Sequence, residues 1–335
     1  MAVTLTLDEL TALVASVFER HGASPGNARI VAGVVAAAER DGSRSHGLFR
    51  LPGYVSTLKS GWMDGKAVPV VTDPAPGLVA VDAANGFAQP ALAAGAPLLR
   101  EKARTQGIAA LAIRNSHHFA ALWPDIEPFA AEGFVAMAFV NARSRVAPWG
   151  AKKKFLGTNP MAFACPRPGR EPFVWDLASS VVAQGEVLLA STKGHELDEG
   201  VGLDANGDPT KDPVKVLEGG AMLPFGGHKG AAIGFMVEIM SAAFTGGRFG
   251  YEHDSGAFPG ALTTRAGESV ILIDPKRTGG EDVGERLTGL FEGLSEAGVS
   301  RLPGDSRYAR RRKSMSEGIE IAQEAYDTVQ RLLRD

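Results

Sequence analysis

Helical spacing of apolar residues occupies both ends of this chain and strand-length apolar runs crowd its middle, a distribution that constrains the fold more than any other feature. Thr6 stands as a cap before Leu7, Leu10, Leu13, Val14, Val17 and Phe18, a helical stripe that stops at Gly22. A second, Ala-rich helix spans about 24–41, with Gly42 at its end. Residues 281–297 and 314–334 read as closing helices. Between these ends, 68–72, 78–82, 108–113, 134–140, 161–165, 173–176 and 269–274 read as strands. Helical patterns fall at 48–59, where Pro52 starts or kinks the element, and at 88–106, 121–132, 179–191 and 227–245. The polar, Gly-rich stretch 192–213 reads as a loop. The pattern predicts an α/β protein whose termini pack together.

At 335 residues the chain is long enough for two modest domains or one large one. A net charge of -3 gives no reason to expect nucleic acid as a partner, and the basic run Arg310–Lys313 reads as a solvated helix start. A lone cysteine, Cys165, has no intramolecular disulfide partner and fits a reducing cytoplasm. Asp8 and Glu9 interrupt any secretory signal, and no apolar run reaches bilayer-spanning length. The expectation is a cytoplasmic enzyme with no membrane partner. The glycine fingerprint G-x-G-x-x-G is absent, as are Walker A, C-x-x-C and H-E-x-x-H patterns, so a bound nucleotide needs a different architecture. No two of the seven histidines stand four apart, and no metal is expected.

Asp41-Gly42-Ser43-Arg44-Ser45-His46-Gly47, with Arg50 four positions after His46, is the strongest chemical signal. If Ser43 or Ser45 caps a new helix, His46 and Arg50 lie one turn apart on one face. A titratable imidazole beside a guanidinium fork suits a small carboxylate that must gain or lose a proton. Asn115-Ser116-His117-His118 follows a strand and reads as a ligand-facing loop or as hydrogen-bonded, capping histidines. Gly157-Thr158-Asn159-Pro160 is a tight turn in which Thr158 can meet a carboxylate. Asp176 ends a strand, facing a ribose or capping the next helix. Gly226-Gly227-His228-Lys229-Gly230 opens a helix and offers an anion site, or simple glycine packing.

Together with Arg301-Leu302-Pro303-Gly304-Asp305, these motifs in this order resemble the malate/L-lactate dehydrogenase-like family of NAD(P)-dependent oxidoreductases over nearly the whole chain. The resemblance implies a non-Rossmann cofactor domain on a mainly antiparallel sheet, a helical portion formed by both termini, and a homodimer. It divides the chain into 1–115 with 300–335, the helical, substrate and dimerisation portion, and 116–299, the NAD(P)-binding domain. It makes His46 the proton donor or acceptor and Arg50 the holder of the substrate carboxylate, with Thr158 also on the substrate. Cofactor contacts fall on His118, Phe119, Ala120, Ala121 and Leu122, on Asp176, Leu177 and Ala178, on Gln184 and Gly185, on His228 and Lys229, and on Gly304, Asp305 and Arg307.

Within the family, the acidic residue after Gly185 is similar to that of the cyclic ketimine reductases, where it completes a Ser-His-Asp relay; here the relay would be Ser45, His46 and Glu186. Glu for Asp lengthens the arm by one methylene. The implied reaction is NAD(P)H-dependent reduction of Δ1-piperideine-2-carboxylate and Δ1-pyrroline-2-carboxylate to L-pipecolate and L-proline. The alternative is a 2-hydroxyacid dehydrogenase of malate, lactate or ureidoglycolate type, in which His46 deprotonates an alcohol. His228, Lys229 and Arg307 offer positive charge for a 2′-phosphate, which favours NADPH over NADH.

Overall fold

The structure, a computed structural model, describes residues 2–278 and 282–335. The chain begins with β1 (Ala2–Leu5), α1 (Leu7–Arg20), α2 (Pro25–Arg40) and α3 (Leu51–Lys59), then β2 (Val70–Ala75), β3 (Leu78–Asp82), α4 (Ala88–Gln106) and β4 (Ile108–His117). It continues through α5 (Trp123–Ala131), β5 (Val135–Val140), β6 (Met161–Cys165), β7 (Phe173–Leu177) and α6 (Gln184–Lys193), followed by the short β8 (Gly202–Leu203), β9 (Pro209–Thr210), α7 (Pro213–Leu217) and β10 (Ala221–Met222). It closes with α8 (His228–Glu238), β11 (Arg265–Ile273), α9 (Pro275–Thr278), α10 (Val283–Glu296), α11 (Asp305–Glu317), β12 (Ile319–Ala322) and α12 (Gln323–Arg334).

Local rules account for many of these boundaries. Thr6 and Glu9 form a reciprocal cap, with Thr6 Oγ1 accepting from Glu9 N at 3.2 Å and the Glu9 carboxylate accepting from Thr6 N at 2.8 Å. Ser24 caps α2, and Gly107 ends α4 in the left-handed region at φ 84°. The main sheet has the order β2-β3-β4-β11-β5-β6-β7, parallel only between β3 and β4. Leu111, Ile113, Ala136, Val270 and Leu272 from its centre pack against Leu99 of α4 and Ile126 and Phe129 of α5. A second core joins Phe18, Val31, Tyr54 and Phe87 to Ile319, Ile321, Val329 and Leu332. The termini do meet: β1 pairs antiparallel with β12, and His21 Nε2 donates to Leu332 O at 2.7 Å.

Several expected elements differ. No helix carries both His46 and Arg50: two 3-10 turns, Arg44–His46 and Leu48–Arg50, flank Gly47, whose backbone (φ -93°, ψ -133°) is not helical. Glu39 causes the break, since its carboxylate accepts from Leu48 N at 2.7 Å and lies where a Gly47 Cβ would be. The expected 314–334 helix is two helices and a strand, divided at Gly318 with φ 88°. Helix 179–191 starts only at Gln184, because Ser180 bridges to Pro224. Helix 227–245 widens into a π turn at Ile239–Ala243, where the Ser241 carbonyl meets the Gly267 backbone closely enough to exclude any Cβ. Residue 281 of the expected 281–297 helix lies outside the described residues. β4 runs on to His117, so Asn115, Ser116 and His117 lie in the sheet, and the strand passes through residue 115.

Ile321 is 1% exposed in the core that joins the two ends. Ile321→Ala is expected to cost about 2–5 kcal/mol, read as a lower denaturation midpoint. A loss below about 0.5 kcal/mol would show that the terminal strand pair does not anchor the helical portion.

Candidate active site

A cavity of about 730 Å³ lies between the helical portion and the sheet. His46 and Arg50 enter it from the paired 3-10 turns, His118 to Leu122 from the segment after β4, Thr158 from its turn, Asp176 to Ala178 from the end of β7, and Gln184 and Glu186 from the start of α6. Ser45, Gly185, His228, Lys229, Gly304, Asp305 and Arg307 are not part of its wall.

Ser45 Oγ and His46 Nδ1 are hydrogen-bonded at 3.0 Å. Burial first, then the Arg50 and His118 charges, pushes His46 down to about 4, so the imidazole is neutral at pH 7. Glu186 is exposed, and among the described residues it has no hydrogen bond to Ser45 or His46. The Arg50 guanidinium lies over the Phe119 ring at 4.5 Å, its Nε is buried without a partner among the described residues, and burial lowers its pKa. A buried cation with no carboxylate partner is a ready anion receptor.

The adjacent histidines part company. His117 is fully buried between Thr263 Oγ1 at 2.8 Å and Asn85 Oδ1 at 3.1 Å, and burial pushes it down to about 3. His118 turns to the cavity wall, with Nε2 2.7 Å from Asp125 Oδ2. Burial opposes its charge most strongly, yet Asp125 and, behind it, the Glu268 and Asp176 carboxyls together raise it. Asp176 is half-buried and accepts from the backbone N–H groups of Leu122 and Trp123, each at 3.2 Å, which ties the His118–Leu122 segment to β7. Burial raises its pKa despite Arg307 Nη2 at 3.8 Å.

Arg307 stacks on Trp123 at 4.4 Å, with Nη1 buried and unpartnered among the described residues. Asp305 accepts from Arg167 Nη1 at 2.8 Å and Leu302 N at 3.0 Å, and Gly304, at φ 93°, lies too close to Val174 O for a Cβ to fit easily. These residues brace the loop against β7. His228 and Lys229 are exposed at the start of α8.

Sequence reasoning passed over Arg143, Arg145, Asp125 and Glu268. Arg143 and Arg145 line the cavity just past β5, and among the described residues neither has an ion-pair partner; burial and Arg143 push Arg145 down to about 10. Their two-residue spacing after an apolar strand was the available signal. Asp125 gave a weaker one, an acid in the first turn of α5.

A sequence model described as malate/L-lactate dehydrogenase matches residues 5–330. The chain is 51% identical over 331 residues to a Δ1-pyrroline-2-carboxylate/Δ1-piperideine-2-carboxylate reductase of Pseudomonas putida, covering 99% of this chain and 97% of that one. Its fold is similar to the crystal structure of Δ1-piperideine-2-carboxylate reductase from Pseudomonas syringae pv. tomato, with TM-score 0.97, 51% identity, and 98% and 99% of the two chains covered. A (2R)-3-sulfolactate dehydrogenase (NADP(+)) of Chromohalobacter salexigens is 39% identical over 98% of this chain and 97% of its own length.

The His117 environment sets a sign for acid stability. Its folded pKa of about 3 lies below the unfolded value of about 6.5, so the unfolded chain binds the proton first. Stability is complete above pH ~6.5 and falls toward pH ~3, by up to about 1.4 kcal/mol per pH unit from this group. His117→Gln is expected to flatten that part of the urea-midpoint profile. Equal slopes for variant and wild type would remove His117 from the account.

Proposed function

The chain belongs to the malate/L-lactate dehydrogenase family of oxidoreductases, and from that membership we propose that it reduces cyclic ketimine acids. The substrates are Δ1-piperideine-2-carboxylate and Δ1-pyrroline-2-carboxylate, and the products L-pipecolate and L-proline. The observation that carries this reading is the meeting of His46 and Arg50 on one cavity wall, although no common helix holds them.

Arg50 takes the substrate carboxylate by its two-point fork and so fixes which face of the imine carbon is presented. Neutralising Arg50 also lifts one of the two charges that depress His46, so the imidazole gains proton affinity once substrate is seated. His46 then takes up a proton from solvent and passes it to the imine nitrogen, returning to the neutral imidazole, with Ser45 Oγ on Nδ1 orienting the ring. A reduced nicotinamide, when bound, supplies the hydride for the carbon. Glu186, which also lines the cavity, is assigned the third place in the relay with Ser45 and His46.

Cavity size and charge fit an anionic nucleotide. The buried Nη1 of Arg307, and Arg143 and Arg145, without partners among the described residues, favour NADPH over NADH. His118 to Leu122, Asp176 to Ala178, Gln184, Gly185, His228, Lys229, Gly304, Asp305 and Arg307 are assigned to the cofactor. Phe235, Met236, Ile239 and Phe244 leave apolar surface on α8 and the turn beyond it, which supports a homodimer. Cys165 is buried and its thiol is pushed up to about 11, in keeping with a cytoplasmic protein that does not use it. One observation favours 2-hydroxyacid oxidation instead: a neutral His46 can also accept a proton from an alcohol.

Cofactor oxidation measured with both cyclic imines beside pyruvate and oxaloacetate separates the two reactions. The imines are expected to be the better substrates, with NADPH preferred. In the same assay His46→Ala should lower imine turnover by about 10²–10⁴, and Glu186→Lys should abolish it. Faster turnover of the 2-oxoacids would favour the dehydrogenase, and a His46→Ala loss below about threefold would displace His46 as the proton donor.

A further inference from the structure

Glu268 is fully buried on β11, the strand between β4 and β5 at the middle of the sheet. Among the described residues neither of its carboxylate oxygens has a hydrogen-bond partner. Another buried acid, Glu238, is fully provided for: Oε1 accepts from Asn141 Nδ2 at 3.0 Å and Gly250 N at 2.6 Å, and Oε2 from Asn159 Nδ2 at 2.7 Å. Glu238 is a structural carboxylate; Glu268 has no such reason to be there.

The flanking strands set Ile113 and Val140 opposite Glu268, neither of which donates a hydrogen bond from its side chain. The titratable groups that face it are Asp125 of α5 and His118 after β4, and one side-chain atom from each of the three lies within 4.8 Å of the others. His118 in turn faces Asp176 of β7 and His46. A carboxylate here would be a second anion beside Asp125, with one imidazolium to balance both. A carboxylic acid has a proton to share and adds no charge.

We propose that Glu268 is a positioning residue for His118: a neutral carboxylic acid, poised to share its proton with Asp125, that keeps the buried Asp125–His118 pair balanced behind the cavity wall. Burial, then Asp125, raises the Glu268 pKa, in the direction this requires. Loss of the proton in alkali leaves an unbalanced negative charge behind His118, and the wall loses attraction for an anionic cofactor. This kinetic consequence rests on the proposed reduction at this cavity. The protonation state of Glu268 does not.

Infrared difference spectra of the free protein against Glu268→Gln, with carboxyl-labelled glutamate to identify the band, test the proton directly. The wild type is expected to show a carboxylic acid C=O band at neutral pH that titrates away in alkali and is missing from the variant. A folded wild type with only carboxylate bands at neutral pH overturns the proposal, whatever the enzyme reduces. If the variant does not fold, the labelled wild-type titration alone decides. Where it folds, Glu268→Gln should lower kcat/KM by less than about tenfold at neutral pH, the scale of one hydrogen bond. It should also flatten the alkaline rise in cofactor KM, which a purely structural side chain would leave in place. An unchanged alkaline rise, or one Zn²⁺ bound per wild-type chain and lost in the variant, would overturn the role.

Discussion

The ladder between β4 and β11 is the contact on which the rest depends. It runs from Arg265 opposite His117 to Ile273 opposite Ile108, joining segments about 150 residues apart in sequence. Closing so long a loop costs chain entropy that only a long, buried ladder offsets. The segment before β11 docks the helical portion onto the sheet. Thr57 Oγ1 accepts from Leu262 N at 3.0 Å, Trp62 Nε1 donates to Thr263 O at 3.1 Å, and Thr263 Oγ1 holds His117. Leu262 and Thr264 then line the cavity. Without that ladder, His46 and Arg50 would have no opposite wall.

Charge is distributed around the cavity with a consistent bias. Its cations, Arg50, Arg143 and Arg145, have no carboxylate partner among the described residues. The nearby acids are committed elsewhere: Asp176 to backbone N–H groups, Asp125 to His118. The resulting field favours anions, while burial, with the Arg50 and His118 charges, keeps the free His46 neutral. In the proposed reaction a substrate carboxylate on Arg50 would change both conditions at once, coupling binding to proton supply.

Local chemistry was legible in the sequence. Thr6 with Glu9, Ser24 and Gly107 mark helix ends by rules that act within a few residues, and the structure places those ends where the residues do. The α/β class and the meeting of the termini were also readable, from periodicity. What failed was set at a distance. Glu39, seven residues before His46, breaks the helix expected there. The opposite fates of His117 and His118 depend on Thr263 and Asp125, which no reading of the pair could supply. Gly318 reads as one more glycine until β12 is seen pairing with β1. The cavity-lining residues of the motifs were found as a set, whereas Arg143, Arg145 and Glu268 look like ordinary strand-end and strand residues until the sheet closes around them.

The central claim is that this cavity reduces a carbon–nitrogen double bond next to a carboxylate held by Arg50. The most direct measurement follows the transferred hydrogen: Δ1-piperideine-2-carboxylate is incubated with cofactor deuterated at the transferring position, and the product is read by NMR. The account predicts L-pipecolate carrying one deuterium at C2, on a single face, with the transfer lost in Arg50→Lys while cofactor binding persists. Product without deuterium at C2, or equal transfer in Arg50→Lys, would contradict it.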